Sequence, residues 1–487
     1  MAIKKNEKAT VATPSMAHDA MANRWWKMDT LLGGTEAMRE AVEGMAPRHE
    51  HESDTNYNDR IAGNVLFNMV DLTLRVWVGR PFANAIQYTE DFAKHLVDLM
   101  DDVDLDGNNL DVYCRRWFRD GVAKAFSHTL VEFPRVDIPV ASRSKADDAA
   151  MNIRPYFVHI KPEQVIFALA ERQNGKEVLT HVRIAEDVVT LDEWEEVVTS
   201  QIRVLEIDHI NIGTDDDPIL ERKVAVTIYR QDEDGKDIWS VYDSFFMDID
   251  EIPLVPFYAD RLGFMLGRSP LDDLADLNIR HWQSMSDQIS ILTVTRFPIL
   301  ACSGGDEGET KLVIGPKEWL YTPDPTARFY YVEHKGAAVK NGKDDLDDLE
   351  KRMQSYGAEF TKERPDREAA SSRALDSSEA TSPLQDVAFR FNDALNKALE
   401  LMSKWMNKKH VGKAGIPTEF TSPEASQLQT LMMTWIEGGL TTEEYLKELQ
   451  RRGLLDENNV NFKKPDRKPD EPKQEQEQKP ERTEDEV

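Results

Sequence analysis

One stretch constrains this chain more than any other: GRSPLDDLADLNIRHWQSMSDQISILTVTRFPILACSGG, from Gly267 to Gly305. Ser269 suits a helix cap, and Pro270 suits the first helical position, where its missing N–H would be unpaired anyway. Asp272 and Asp273 favour the positive helix end. From Asn278 onward the inward positions recur by threes and fours, at Trp282, Met285, Ile289 and Leu292. The opposite face carries Asp276, Arg280, Gln283, Ser284 and Asp287. The pattern predicts one helix of roughly 40 Å at about 1.5 Å per residue. It stops at Pro298 and hands over to a strand. Such a helix is long for a globular domain, and half of it is polar.

The segments around it repeat this grammar. Three strand-like runs follow, PILACSG, KLVIGPKEWLYT and ARFYYVEH. A second helix, KDDLDDLEKRMQSYGAEFTKE, spaces Leu346, Leu349, Met353, Tyr356 and Phe360 three and four apart and ends before Pro365. RPDREAASSRALDSSEA, 364–380, is polar and rich in small residues, a loop by composition. A third long helix is expected to open with Ser382 as cap, Pro383 in the first position and Gln385 completing a capping box. Its apolar face runs through Leu384, Val387, Phe391, Leu395, Ala398, Met402 and Trp405. Upstream, residues 1–20 read as polar and mobile, 21–130 as helical and 152–258 as β-rich. Downstream come two short helices, the second with a Thr441/Glu444 capping box, and a charged Pro- and Gln-rich tail. The fold class is α+β.

Composition removes several functions. At 487 residues the chain can bury a large core and hold two or more domains. A formal net charge of −29 argues against wrapping nucleic acid through phosphate contacts. Two cysteines, Cys114 and Cys302, give no disulfide framework and suit a reducing cytosol. No apolar run reaches the roughly 20 residues of a membrane span, and the polar start has no signal-peptide core, so a soluble, intracellularly made protein is expected.

Reactive motifs are missing in the same way. The sequence has no GxxxxGK[ST], HExxH or GxSxG. DDVDLDGNNLDVY places Asp102, Asp104, Asp106 and Gly107 like a calcium loop, but Tyr113 stands where the bidentate Glu belongs. His49-Glu50-His51 has no second ligand cluster at metal spacing. Acid runs at Asp215–Asp217, Asp272–Asp273 and Asp344–Asp348 sit at turns or helix starts, where caps and the macrodipole account for them. His281 and His334 have no nucleophile at a telling spacing. The expectation is therefore no enzyme, no metal and no cofactor.

The segment PLVPFYADRLGFMLGRSPLDDLADLNIRHWQSMSDQISILTVTRFPIL resembles the most distinctive part of bacteriophage portal proteins. It is similar in particular to a family long catalogued as an uncharacterised phage portal-like domain. Further resemblances follow in order: MREAVEGMAPRHEHESDTNYNDRIAGNVLFNMVDLTLRVWVGRPF, DLDGNNLDVYCRRWFRDGVAKAFSHTLVEFP, RPYFVHIKPEQVI, YYVEHKGAAV and SSEATSPLQDVAFRFNDALNKALELM. Together they cover most of residues 25–455. Trp282 departs from a more usual Tyr, no Trp follows Gln164-Val165-Ile166, and the Asp215–Asp217 loop is particular to this chain.

The resemblance implies an architecture and a role. It implies a wing over 21–268, a first stem helix over 269–296, a clip over 297–340 and a second stem helix over 341–362. A tunnel loop over 363–380, a long kinked wing helix over 381–411, a crown over 412–458 and a disordered tail over 459–487 follow. It implies a homo-oligomeric ring, commonly of twelve chains, at one capsid vertex of the virion, made in the host bacterial cytoplasm. Double-stranded DNA would be packaged and ejected through that ring. Its partners would be the terminase large subunit, a head–tail adaptor, and the major capsid and scaffold proteins, with no membrane.

On this reading Trp282, Met285, Ile289, Leu292, Leu346, Leu349 and Met353 pack the stem. Asp344, Asp345, Asp347, Asp348 and Glu350 are candidates to line the channel, and Arg364, Arg367 and Arg373 to touch DNA from the tunnel loop. Trp319, Leu320 and Tyr321 are candidate partner contacts in the clip. Twelve copies would carry a formal charge on the order of −350, a field that repels DNA and keeps it sliding. The rivals are a metal-dependent nuclease of phage packaging, using the acid runs to chelate Mg²⁺, and another connector ring such as a head–tail adaptor, generally far shorter.

Overall fold

The computed structural model describes residues 9–135, 144, 147, 150–212, 219–231, 238–296, 299–303, 326, 328–332, 337–357, 370–418, 420, 431–436 and 440–451. The chain divides into two units, Met1–Phe420 and Thr421–Val487.

The first unit opens with short helices whose starts are written in polar caps. Helix α1 (Met16–Leu32) is capped by Ser15, whose hydroxyl accepts from the His18 N–H at 3.1 Å. Helices α2 (Gly34–Glu40) and α3 (Val42–Met45) follow, then α4 (Asp54–Ala62), capped by Ser53, and α5 (Met69–Gly79), capped by Asn68. After strand β1 (Gln87–Tyr88) and α6 (Lys94–Val97), Asn109 caps α7 (Leu110–Lys124). Residues 9–15, expected to be mobile, instead lie across the β-rich region. The Ser15 N–H donates to the Ile166 carbonyl at 2.8 Å, and Val11 and Ala12 pack near Ile202 and Val204.

The helical reading of 21–130 fails at its end. Ala125 takes a positive φ of 76°, and Phe126–Glu132 runs on as strand β2. Its aromatic and β-branched residues are buried along nearly the whole strand, as in the centre of a covered sheet. β2 is the middle strand of an antiparallel three-stranded sheet, between β3 (Tyr156–Ile160) and a late-arriving strand, β9 (Leu254–Tyr258). Between β3 and β9 the chain makes an antiparallel five-stranded meander, β4 (Val165–Gln173), β5 (Lys176–Asp192), β6 (Glu195–Asn211), β7 (Leu220–Gln231) and β8 (Trp239–Met247).

A small β10–β11 pair (Arg261–Gly263, Leu266–Gly267) leads into helix α8, Asp272–Arg296. It starts three residues later than expected. Ser269–Leu271 form a turn in which the Ser269 hydroxyl accepts from the Leu271 N–H while the Asp272 carboxylate accepts from the Ser269 N–H. Strands β12 (Ile299–Ser303) and β13 (Arg328–Val332) then pair antiparallel, and helix α9 spans Ala337–Gly357.

Helix α10 runs from Ala370 to Trp405, with Pro383 inside it. The expected loop over 363–380 and the cap at Ser382 are thereby corrected for 370–380. AASSRALDSSEA contains no Gly or Pro, and its Ala, Arg, Leu and Glu have good helix propensity, so polarity alone does not end the helix. Residues 363–369, most of the expected clip (304–325 above all) and the tail lie outside the described residues. After α10, strand β14 (Ala414–Gly415), within the expected crown, pairs antiparallel with β1. In the second unit the Trp435 ring stacks on Tyr445 at 4.7 Å, and Thr441 and Glu444 form a reciprocal capping box at the start of Thr442–Arg451.

Aromatic packing joins α7, β9 and α10. Phe118 stacks on Phe257 with centroids 5.5 Å apart, and Phe391 meets Trp117 at 5.1 Å and Phe257 at 5.0 Å. Gly121 makes room for this, since a Cβ there would lie 2.3 Å from Phe257 Cδ1. Truncating Phe391 to Ala should cost about 3–5 kcal/mol, and G121A about 1–3 kcal/mol through overpacking. Urea denaturation of the purified chain reads both.

Two histidines sit on the three-stranded sheet. Burial pushes His128 down to about 3 and His159 down to about 4, the latter helped by the nearby Arg116 and Lys161. Both stay neutral in the fold, whereas the unfolded chain takes up protons below about 6.5. Their stabilising contribution is thus full above about pH 6.5 and is lost as pH falls toward 4. His159→Gln should flatten the fall in the urea midpoint between pH 7 and pH 4.5 relative to the parent chain, by an amount worth a few kcal/mol.

Candidate functional site

The two long helices α8 and α9 pack against each other, and α8 also packs against α1, α4 and α5. The apolar stripe explains only part of this. Trp282, Leu346, Leu349 and Met353 are buried, whereas Met285, Ile289 and Leu292 are half-buried. The positions buried most completely along α8 include Asn278, His281, Ser284, Ser286 and Gln288. Ser284, expected on the solvent face, is thus an inward residue.

Each of these polar groups meets something specific. Asn278 Oδ1 accepts from the Met69 and Val70 N–H groups at 2.9 and 3.1 Å, and its Nδ2 donates to the Phe67 carbonyl at 2.9 Å. It therefore caps the first turn of α5 from another helix, while Asn68 accepts from the Asp71 N–H. One turn on, Asn64 Nδ2 donates to the Trp282 carbonyl at 2.8 Å, and Gln283 donates to the Met45 carbonyl at 3.0 Å. Arg60, 3% exposed at its side chain, donates to Ser286 Oγ and is held by Glu52 at 2.7 Å. That hydrogen bond pulls the Glu52 carboxyl below its ordinary range and raises Arg60. His49 Nε2 lies 2.8 Å from Asp287 Oδ1.

The other side of α8 meets α9. Ser284 Oγ donates to Asp345 Oδ2 at 2.6 Å, Gln288 Nε2 donates to the Val339 carbonyl at 3.0 Å, and His281 Nε2 lies 3.5 Å from Glu350 Oε1. Gly342 is where Gln288 crosses, since a Cβ there would sit 2.0 Å from Gln288 Oε1. Burial lowers His281 despite the two carboxylates beside it, and its ring packs near Phe67 at 5.5 Å.

Of the five acids expected as channel candidates, Asp345 accepts from Ser284 and Glu350 lies near His281, both on α8. Asp344, Asp345, Asp347 and Asp348 are all exposed, the last 3.6 Å from Lys351. Arg364 and Arg367, with Trp319, Leu320, Tyr321, His334 and Asp215–Asp217, lie outside the described residues, and Arg373 is placed only as backbone within α10.

The arrangement holds helices together. The Ser284 hydroxyl donates its hydrogen bond to Asp345 rather than to His281. Among the described residues no group of three or more His, Cys, Asp or Glu is placed to hold a metal ion. In the calcium-like loop a cation is already supplied. The Arg154 guanidinium donates to Asp102 Oδ2 at 2.7 Å and to the Asp102 carbonyl, while Asp104 Oδ1 accepts from the Asp106 and Asn108 N–H groups. At the start of α8, Asp272 lies 3.6 Å from Arg24 and Asp273 2.9 Å from Arg268.

The sequence marks Asn278 only as the start of the inward stripe, and gives no local sign of the roles of Asn64, Arg60 and Gln288. One signal was present: Asn278, His281, Ser284 and Gln288 recur by threes and fours exactly as the apolar residues do.

Residues 270–406, from the turn before α8 to the end of α10, match a domain of unknown function, DUF4055. No curated protein matches the sequence. Among solved structures, the chain is similar to one from the neck of an empty gene transfer agent (GTA) particle computed with C6 symmetry. The identity is 9% and the TM-score 0.41, over 85% of this chain and 98% of that one. A chain of the native GTA virion gives 9% and 0.41 over 86% and 98%, and one from the native GTA neck computed with C12 symmetry gives 10% and 0.39 over 84% and 98%.

Replacing Asn278 with Ala would strand two buried backbone donors, at roughly 1–3 kcal/mol each. N278A should therefore lower stability by about 2–4 kcal/mol in urea denaturation, while an exposed neighbour, R280A, should stay within about 0.5 kcal/mol of the parent.

Proposed function

We propose that the chain is a phage portal protein. It would form a ring at one capsid vertex, acting as the channel for double-stranded DNA in packaging and ejection and as the docking site for terminase and the head–tail adaptor. The observation that carries this reading is the run from α8 to α10. Two long helices lie side by side, with the β12–β13 pair between them in sequence and a third long helix after them. Its first helix, α8, lies in the stretch where the portal resemblance is most distinctive, and α10 includes most of the later resembling segment SSEATSPLQDVAFRFNDALNKALELM.

The physics of a ring supports it further. A ring interface is heterologous, so each copy must present two different faces that close on one another. Met285, Ile289 and Leu292 are only half-buried within one chain, and they offer apolar surface along α8 for a neighbour to cover. Exposed Asp344, Asp347 and Asp348 on α9 would contribute negative charge to a wall past which DNA slides. Arg364, Arg367 and Arg373 would make the intermittent phosphate contacts, and Trp319, Leu320 and Tyr321 would meet the adaptor. Twelve copies, with capsid and scaffold proteins around them, complete the proposal. No chemistry is assigned to the chain itself.

Removing the chain from the producing phage should give heads without DNA, scored by electron microscopy and by nuclease-protected DNA. Heads filled to the normal extent would refute the reading. Replacing Arg364, Arg367 and Arg373 together with Ala should lower protected DNA several-fold while ring formation persists.

A further inference from the structure

The five-stranded meander has one part that the proposed function does not use. Strand β5 pairs with β4 only through Lys176–Ile184, and β6 pairs with β7 only from Gln201 onward. Beyond those limits, among the described residues, Asp187–Asp192 and Glu195–Ser200 pair with each other alone, out to Asp192 opposite Glu195. The result is a two-stranded arm of roughly 20–25 Å at about 3.4 Å per residue.

Its surface is unusual on two counts. Val189, Leu191, Val197 and Val198 are exposed along it, Leu191 at 77%, and Trp194 stands at the tip with 94% of its surface free. A two-stranded ribbon is marginal in water unless something covers a face, and neither edge of this one pairs with another strand among the described residues. The tip is also strongly acidic. Asp192, Glu193, Glu195 and Glu196 flank Trp194, and no Lys, Arg or His occurs between Ala185 and Ser200.

We propose that this arm is a docking element for a different protein, one that presents an apolar slot for Trp194 and Leu191 ringed by Lys and Arg. Trp is among the residues that most often anchor an interface, and a rim of one charge sets both partner choice and association rate. Local charge argues against a second copy's arm as the occupant. Asp192, Glu193, Glu195 and Glu196 of two arms would face like charge and oppose strand-to-strand pairing between them. The proposal rests on the particle reading above only for where the partner is to be found.

The test places a photo-crosslinking residue, p-benzoylphenylalanine, at position 194 of the full chain in phage particles, with the same residue at exposed Leu262 as control. After irradiation the adduct is sequenced. The expected result is one adduct specific to position 194, on another structural protein, in a segment where Lys and Arg flank apolar residues. Combining E193K, E195K and E196K should cut its yield at least tenfold while rings of the purified chain form as before. An adduct to a second copy of this chain, no adduct, or a yield that charge reversal leaves unchanged overturns the proposal. Absence of the chain from particles would instead count against the portal reading, and the same irradiation in producing cells then decides the arm.

Discussion

Asn278 and the polar groups after it on α8 tie the helix to segments about two hundred residues earlier and to α9, 51 and 61 residues later. Through Asn278 the helix caps α5, through Trp282 and Ser286 it holds Asn64 and Arg60, and through Ser284 and Gln288 it holds α9. An apolar seam tolerates sliding and rotation, because dispersion contacts are nearly interchangeable. A buried amide or guanidinium does not, since a slip of one position leaves donors and acceptors stranded in a low-dielectric interior. The polar seam therefore fixes the register of α8 against both the helical N-terminal region and α9. A helix that must sit in the same place in every copy of a ring has use for that kind of constraint.

Around this seam the rest of the first unit is anchored by ordinary means. The Trp117, Phe118, Phe257 and Phe391 cluster locks α10 onto α7 and the three-stranded sheet, so the third long helix is held by the same body that α8 enters. The pairing of β14 with β1 brings the chain after α10 back to the region before α6. The five-stranded meander is a sheet of its own that joins the same core through Val165, Val182, Ile184, Leu205, Val224 and Val226, and its β5–β6 arm extends past its pairing with β4 and β7.

Much of the order of elements could be read from residues, because helix starts carry Ser, Asn and Thr caps and the strands carry β-branched runs. What misled was polarity. AASSRALDSSEA reads as loop by composition, yet it contains nothing that breaks a helix. FSHTLVE continues a helical stretch in sequence, and only the turn at Ala125 and burial in the sheet make it a strand. Ser284 looked like a solvent-facing residue because a single helix gives no sign of which neighbours will reach its polar face. Arg60 and Asn64 were invisible for the same reason: their partners are set by tertiary packing rather than by local spacing.

Closure of the proposed ring, with a neighbour covering the apolar surface of α8, can be read from the mass and shape of the assembly. Native mass spectrometry joined to electron microscopy of the chain released from particles should show a single closed assembly of about twelve chains around a central hole. A stable monomer or dimer, or an open filament of varying length, would rule the ring out.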